Sequence, residues 1–201
     1  MIYSVNGKLI HTEPSLAVIE CGGVGYACRT TYSTLSKIGG IGNNVMLLTY
    51  LYVREDNVEL FGFYDSQELN CFKMLLSVSG VGPKAGLAIL SDTTPERFAL
   101  SIATGDSKAF TKTKGIGPKL AQRIVLELKD KITKEQISSD AAQIDFEPII
   151  SGGNTGEAVS ALVVLGYTHS EAAMVISKLD GSLSVPELIR LALKEIGKMK
   201  V

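Results

Sequence analysis

Tryptophan is absent from this chain of 201 residues, histidine occurs twice and cysteine three times. His11 and His169 are far apart, and neither joins a Ser-His-Asp or Cys-His arrangement, so each is expected at the surface or beside a helix cap. Cys21, Cys28 and Cys71 are odd in number, and Cys21 and Cys28 lack the CxxC spacing of a tetrahedral zinc site. Reduced thiols of a cytoplasmic protein, with no bound metal, are the expectation. No apolar stretch approaches the length of a membrane span, and the opening MIYSVNGKLIHTEPS has no basic start, apolar run and small-residue cleavage site. Secretion and membrane insertion are therefore not expected. A basic excess is also missing: the net charge is −1, which taken alone argues against a polyanion partner.

The average conceals a partition. Residues 71–131 hold ten Lys or Arg against five acids, a local +5, whereas 1–64 come to −1, 65–70 to −2 and 132–201 to −3. Residues 1–64 read as short β-type runs punctuated by glycine: IYSVNGKLI, LAVIECGG, VGYACRT, NVMLLTYLYV and VELFGF. Five strands in so short a stretch predict a small barrel, with Gly7, Gly22, Gly23 and Gly25 at tight bends or close strand approaches.

The texture changes at Asp65. Asp65-Ser-Gln-Glu68 has the form of a capping box, followed by Leu69, Phe72, Leu75 and Leu76 at helical spacing. Thr94-Pro95-Glu96 marks another helix start, and helices fill 65–132. Residues 133–153 lack a sustained apolar period and read as a flexible tether with a reach of roughly 25 Å. The remainder, 154–201, shows three capping boxes, Asn154 to Glu157, Thr168 to Glu171 and Ser184 to Glu187, hence three short helices. Val159, Leu162, Val163, Met174, Val175, Ile176, Leu188, Ile189 and Leu191 are expected to supply their core. Gly166 and Gly181 are expected to end the first two helices.

The middle region contains a repeat. Ser79-Gly80-Val81-Gly82-Pro83-Lys84 recurs thirty-five residues on as Lys114-Gly115-Ile116-Gly117-Pro118-Lys119, and each copy leads into an apolar helix. A two-glycine hairpin before a helix presents consecutive main-chain amides with the helix dipole behind them, which makes an anion site. Glycine matters there because a Cβ would obstruct a phosphate or forbid a positive φ. Lys84 and Lys119 fall on the first turn of the following helices, and Arg123 falls one turn beyond Lys119. Amides that touch phosphates cannot read bases, so the expected mode is sequence-independent binding of the duplex backbone. A lone Gly-x-Gly is an ordinary helix-helix turn; two copies inside the only basic segment favour the functional reading. No Walker P-loop is present, since the four-residue interval and Lys-Ser/Thr ending are missing. Any ATP-driven step belongs to another chain.

Glu55-Asp56, in LYVREDNVEL, admits three readings: a solvated hairpin tip, a catalytic carboxylate pair, or a negative point that repels phosphates. Catalysis is disfavoured, because adjacent strand residues face opposite ways and no third acid or His lies nearby. A repair enzyme of the glycosylase or nuclease type could use the same hairpins, but it would need a catalytic acid after Gly117. The nearest, Glu127 and Asp130, sit where surface helix charges are ordinary. A purely structural DNA-bridging scaffold is a third possibility.

Taken in order, MIYSVNGKLI, LYVREDNVELFGF, SGVGPK, KGIGPKLAQR and ALVVLGYTHSEA resemble the RuvA family, the Holliday junction-binding subunits of bacterial branch-migration complexes. The likeness spans essentially the whole chain. It implies a multidomain α+β fold: an oligonucleotide-binding (OB) type five-stranded barrel over 1–64, tandem helix-hairpin-helix motifs over 65–132, a flexible linker, and a three-helix bundle over 154–201 that docks on a motor. It further implies a homotetramer or pair of tetramers on four-way junction DNA, a hexameric RuvB-type ATPase that uses the ATP and Mg, a RuvC-type resolvase as a further partner, and a role in recombination and repair. This subunit itself would carry no catalytic site and no cofactor. By the same resemblance Glu55 and Asp56 form an acidic pin at the junction centre, and Arg29 and Arg54 are basic positions near the crossover. Leu162, Leu165 and Tyr167 meet the motor, with burial in the bundle an alternative for Leu162. The pattern departs at Pro118, where relatives often carry lysine. That removes a phosphate contact and an amide, as Pro83 removes an amide from the first copy.

Overall fold

The computed structural model describes residues 1–139 and 153–199. It divides into two compact units, Met1–Leu76 with Val81–Thr94, and Ser77–Gly80 with Pro95–Val201.

The first unit is built on a closed barrel of β1 (Ser4–Glu13), β2 (Leu16–Cys21), β3 (Val24–Arg29), β4 (Asn44–Val53) and β5 (Val58–Phe63), in the order β1-β2-β3-β5-β4. All pairs are antiparallel except β3 with β5. Alternation along β1 and β4 sends Val5, Leu9, Val45 and Leu47 inward, where they meet Ala17, Ile19 and Cys28. Gly22 and Gly23 turn the β2–β3 hairpin with φ of +60° and +87°, and Gly7 serves a close approach to β2.

A short helix, α1 (Tyr32–Lys37), joins β3 to β4. Its six residues are too few for an apolar period, so the sequence reading passes over it. Thr31 caps it, accepting from the Thr34 amide at 3.0 Å. α2 (Ser66–Leu76) begins where expected, with the Glu68 amide donating to Asp65 Oδ1 at 2.9 Å. The reciprocal half of that box is absent. Glu68 is fully buried and accepts from the Thr31 hydroxyl and, at 2.6 Å, from the Thr34 hydroxyl. Two hydroxyls, one from the cap of α1 and one from its first turn, satisfy its oxygens better than its own N-terminus would. Phe72 of α2 lies 5.8, 5.1 and 4.8 Å, ring to ring, from Tyr50, Phe61 and Phe63. This aromatic packing accounts for α2 and α3 (Pro83–Asp92) falling in one compact unit with the barrel.

The second unit holds α4 (Pro95–Thr104), a 3-10 helix (Ser107–Lys112), α5 (Pro118–Ser139), α6 (Asn154–Val164), α7 (His169–Ile176) and α8 (Val185–Met199). α5 runs past the expected start of the tether, so 133–139 are helical. No proline or glycine interrupts the chain from Lys119 to Ser139, and Lys134, Glu135 and Gln136 are good helix formers. The rest of the expected tether, 140–152, lies outside the described residues.

Three helices form the tail as expected, with α6 packed on α4, α7 and α8. Their ends differ from expectation at Asn154 and at Gly181. Gly153, not Asn154, is the N-cap of α6, and the Asn154 side-chain amide donates to the Leu183 carbonyl at 2.9 Å. Thr168–Glu171 is a full capping box, and Ser184 donates to Glu187 from both its hydroxyl and its amide. Gly166, at φ +95°, closes α6 in a Schellman pattern, with Tyr167 N–H to the Leu162 carbonyl and Gly166 N–H to the Val163 carbonyl. α7 ends at Ser177 without Gly181. Met174, expected in the core, is exposed. Among the described residues no helix is long and apolar enough to cross a membrane.

Candidate nucleic-acid interface

Both glycine hairpins adopt the same local conformation. Gly80 and Gly115 have φ of +88° and +89°, which admits glycine almost alone. Val81 and Ile116 are buried, each 6% exposed, so their side chains anchor the hairpins. Gly82 caps α3 with φ −91° and ψ 172° and no side-chain hydrogen bond, and Pro83 opens the helix. Gly117 stands in the same place before α5. Neither has a positive φ, and a Cβ on either would meet nothing within 4 Å. Nothing among the described residues therefore requires glycine at these two positions.

The helix starts are open to an anion. Gly86 N–H returns to the Gly82 carbonyl and Ala121 N–H to the Gly117 carbonyl, both at 3.0 Å, so hydrogen bonding begins one turn in. Among the described residues, the amides of Gly82, Lys84 and Ala85, and of Gly117, Lys119 and Leu120, have no protein acceptor. Lys84 and Lys119 are exposed on the first turns. The second hairpin is braced by its own turn, with Ile116 N–H to the Thr113 carbonyl at 3.0 Å. Its approach is fixed by the 3-10 helix, which Asp106 caps and which packs Phe110 against Phe98.

Two of the expected phosphate contacts are engaged within the protein. The Ser79 N–H donates to Glu127 Oε2 at 3.2 Å, so it is not an open donor. Arg123 lies one turn beyond Lys119 as expected, yet its guanidinium faces Glu127 at 3.8 Å and the Ser79 carbonyl at 3.5 Å. Glu127 is thus more than an ordinary helix-surface charge. Its i,i+4 pairing with Arg123 is legible from spacing; its bond to a residue 48 positions away is not.

Glu55 and Asp56 occupy the exposed turn between β4 and β5, closed by Arg54 N–H to the Asn57 carbonyl at 2.8 Å. Among the described residues neither carboxylate has a partner. Arg54 folds back on Tyr52, with Nε 2.7 Å from the phenol oxygen and the guanidinium 5.0 Å from the ring centroid. Arg29 pairs with Glu59 at 2.5 Å while remaining half exposed. His11 and Glu13 are 3.3 Å apart at the surface, and His169 opens α7. Burial pushes the Cys28 thiol up to about 12, aided by neighbouring Cys21, so Cys28 is not a ready nucleophile. No group of three or more metal-ligating side chains gathers among the described residues.

Of the three tail residues implied for a partner, Leu162 and Leu165 are interior, 0% and 2% exposed, and Tyr167 is half-buried. Leu162 serves the core of the second unit. Another Gly-x-Gly, Gly40-Ile41-Gly42, leads into β4 rather than a helix, and Gly42 N–H is spent on the Leu9 carbonyl, so this loop offers no comparable anion site.

Three family models match in succession: RuvA N terminal domain over residues 1–62, SAM-like Helix-hairpin-helix tandem over 72–130, and RuvA, C-terminal domain over 153–197. Among curated relatives, the Holliday junction branch migration complex subunit RuvA of Acetivibrio thermocellus is 44% identical over 201 residues, covering 98% of this chain and 100% of the relative. The subunit of the same name from Ruminiclostridium cellulolyticum is 43% identical, with 98% and 100% covered. That of Clostridium botulinum strain Loch Maree is 42% identical, with 96% and 98% covered.

Proposed function

From the membership of this chain in the RuvA family, we propose that it binds four-way DNA junctions through sequence-independent backbone contacts and serves branch migration in recombination and repair as the non-catalytic subunit of a motor complex. The observation that carries this reading is the second glycine of each hairpin. Gly82 and Gly117 meet no steric or dihedral demand of the fold, so the demand for a missing Cβ comes from a ligand that approaches the main chain. Open amides, a helix N-terminus and Lys84 or Lys119 beside it favour a phosphate as that ligand.

Each hairpin would take one strand of a duplex arm, about two phosphates apiece. A homotetramer, singly or as a facing pair, would then seat four arms around the exposed Glu55-Asp56 turns, with Arg29 and Arg54 near the crossover. A RuvB-type hexameric ATPase would supply ATP and Mg chemistry, docking on the tail through Tyr167, and a RuvC-type resolvase would act on the same junction. With Leu162 and Leu165 interior, their part in docking would be to shape the Tyr167 surface. The working compartment would be the cytoplasm, and the chain would need no cofactor of its own.

Gel-shift competition tests this reading. Labelled four-way junction should outcompete linear duplex of the same sequence at equal salt; equal affinity, or cleavage by the protein alone, overturns it. Lys84→Ala and Lys119→Ala should each weaken all duplexes alike and flatten the plot of log affinity against log salt by about 0.9. Glu55→Gln with Asp56→Asn should leave the fold intact while duplex binding tightens and the ratio of junction to duplex affinity falls, because a repulsive point has been removed. An unchanged ratio, measured in the same competition, would retire the pin.

A further inference from the structure

A carboxylate has the wrong charge for a surface that holds phosphates, yet Glu127 is built into the opening of the first hairpin. Its Oε2 accepts from the Ser79 main-chain N–H at 3.2 Å, and its Oε1 lies 3.8 Å from Nε of Arg123. The Arg123 guanidinium reaches the Ser79 carbonyl, with Nη1 3.5 Å from the oxygen. On the next turn, Lys131 Nζ donates to the Ser77 carbonyl at 2.7 Å. Residues 123, 127 and 131 recur at four-residue spacing, so one stripe of α5 holds both main-chain polar groups of Ser79 and the carbonyl of Ser77. The segment so held belongs to no helix, since α2 ends at Leu76 and α3 starts at Pro83. It also contains Gly80 in its left-handed conformation, and a Cβ on Gly80 would lie 3.8 Å from Nη1 of Arg123.

We infer that Glu127 is a positioning residue for DNA binding: with Arg123 and Lys131 it fixes Ser77–Gly80, so that the first hairpin meets a phosphate already formed. Holding the loop in advance removes ordering entropy that binding would otherwise have to overcome. The inference rests on the proposed function and adds a residue to it. A carboxylate that merely occupied the Ser79 amide until a phosphate displaced it would need that amide alone. Here the carbonyls of Ser79 and Ser77 are held by the neighbours of Glu127 on the same stripe.

The sign of one substitution separates the two roles. Removing an acid from a polyanion-binding surface should tighten binding by simple electrostatics, whereas losing a positioning contact should weaken it. With the full chain, E127A is expected to bind labelled four-way junctions and linear duplex about tenfold more weakly than wild type. Thermal unfolding should not change, and neither should the salt slope, because no phosphate contact is lost. E127Q, whose side-chain oxygen can still accept from the Ser79 N–H, should stay within about threefold of wild type. Hydrogen exchange at the Ser79 amide should accelerate in E127A and not in E127Q. Duplex binding by E127A as tight as wild type or tighter overturns the inference, and so does a Ser79 exchange rate that is the same in both. A wild-type chain with no preference for junctions would overturn the proposed function instead, while the duplex comparison would still decide the role of Glu127.

Discussion

A chain carrying aspartate at both Gly82 and Gly117 is expected to lose junction and duplex binding by at least about a hundredfold while melting no earlier than wild type. Gly82 is the N-cap of α3 and Gly117 precedes Pro118 at the start of α5, both with open space where a Cβ would go. Aspartate is among the preferred N-caps: its carboxylate accepts from the first-turn amides and lies at the positive end of the helix dipole. Replacing glycine there gains, if anything, a few tenths of a kcal/mol. The same carboxylate would take the amides proposed to hold a phosphate and set like charge against it. Two unit charges about 4 Å apart repel by about 1 kcal/mol in water and about 4 kcal/mol in the lower effective dielectric near a protein surface. With the amide hydrogen bonds lost as well, two such sites account for a hundredfold. Fluorescence anisotropy with labelled junction, read beside thermal unfolding, checks both halves. Undiminished binding would mean that the hairpin amides are not the anion site.

The hairpins are legible in the residues because their signal is local. Gly80, Gly82, Gly115 and Gly117 lie within a few positions of the helices they open, and turn chemistry over that span is written directly in residue type. Strands were legible for a related reason: glycine pairs and β-branched runs punctuate 1–64 densely, and closure of five short strands into a barrel follows from their number. What escaped the sequence depended on distance along the chain. Glu68 has the spacing of a capping residue, yet its oxygens go to Thr31 and Thr34, more than thirty positions away. Glu127 likewise reads as half of a helix ion pair with Arg123 until Ser79 is brought beside it. α1 was missed because six residues cannot display a period, and the end of α5 because nothing between Lys131 and Ser139 stops a helix. Leu162, Leu165 and Tyr167 show the limit from the other side: an apolar residue serves a core or a partner equally well on spacing alone, and only its burial tells which.

Gly7→Ala is expected to destabilise the barrel by at least about 3 kcal/mol. A Cβ there would lie 2.0 Å from the Glu20 carbonyl oxygen and 2.9 Å from Cys21 Sγ. The thiol could swing aside, but the carbonyl belongs to the backbone of β2 and cannot rotate without breaking strand geometry. Nor can β1 retreat, since Gly7 is paired on its other side with Val45 of β4, between the Ser4–Leu48 and Lys8–Asn44 partners. In a closed barrel every displacement is passed to the next strand, so the strain has no free edge at which to relax. Two other glycines separate this cause from the general cost of losing a glycine. Gly23→Ala meets no atom within 4 Å but must hold φ at +87°, at a cost of about 1–2 kcal/mol. Gly117→Ala meets neither obstacle and should melt close to wild type. Thermal unfolding of the three variants should therefore rank Gly7→Ala far below Gly23→Ala, and Gly23→Ala below Gly117→Ala. At about 4–8 °C per kcal/mol for a domain of this size, the first should melt more than about 12 °C early. Because the barrel carries the Glu55-Asp56 turn, junction preference should disappear on heating with the Gly7→Ala transition. If Gly7→Ala instead melts with Gly117→Ala, β1 and β2 do not approach as closely as the register requires.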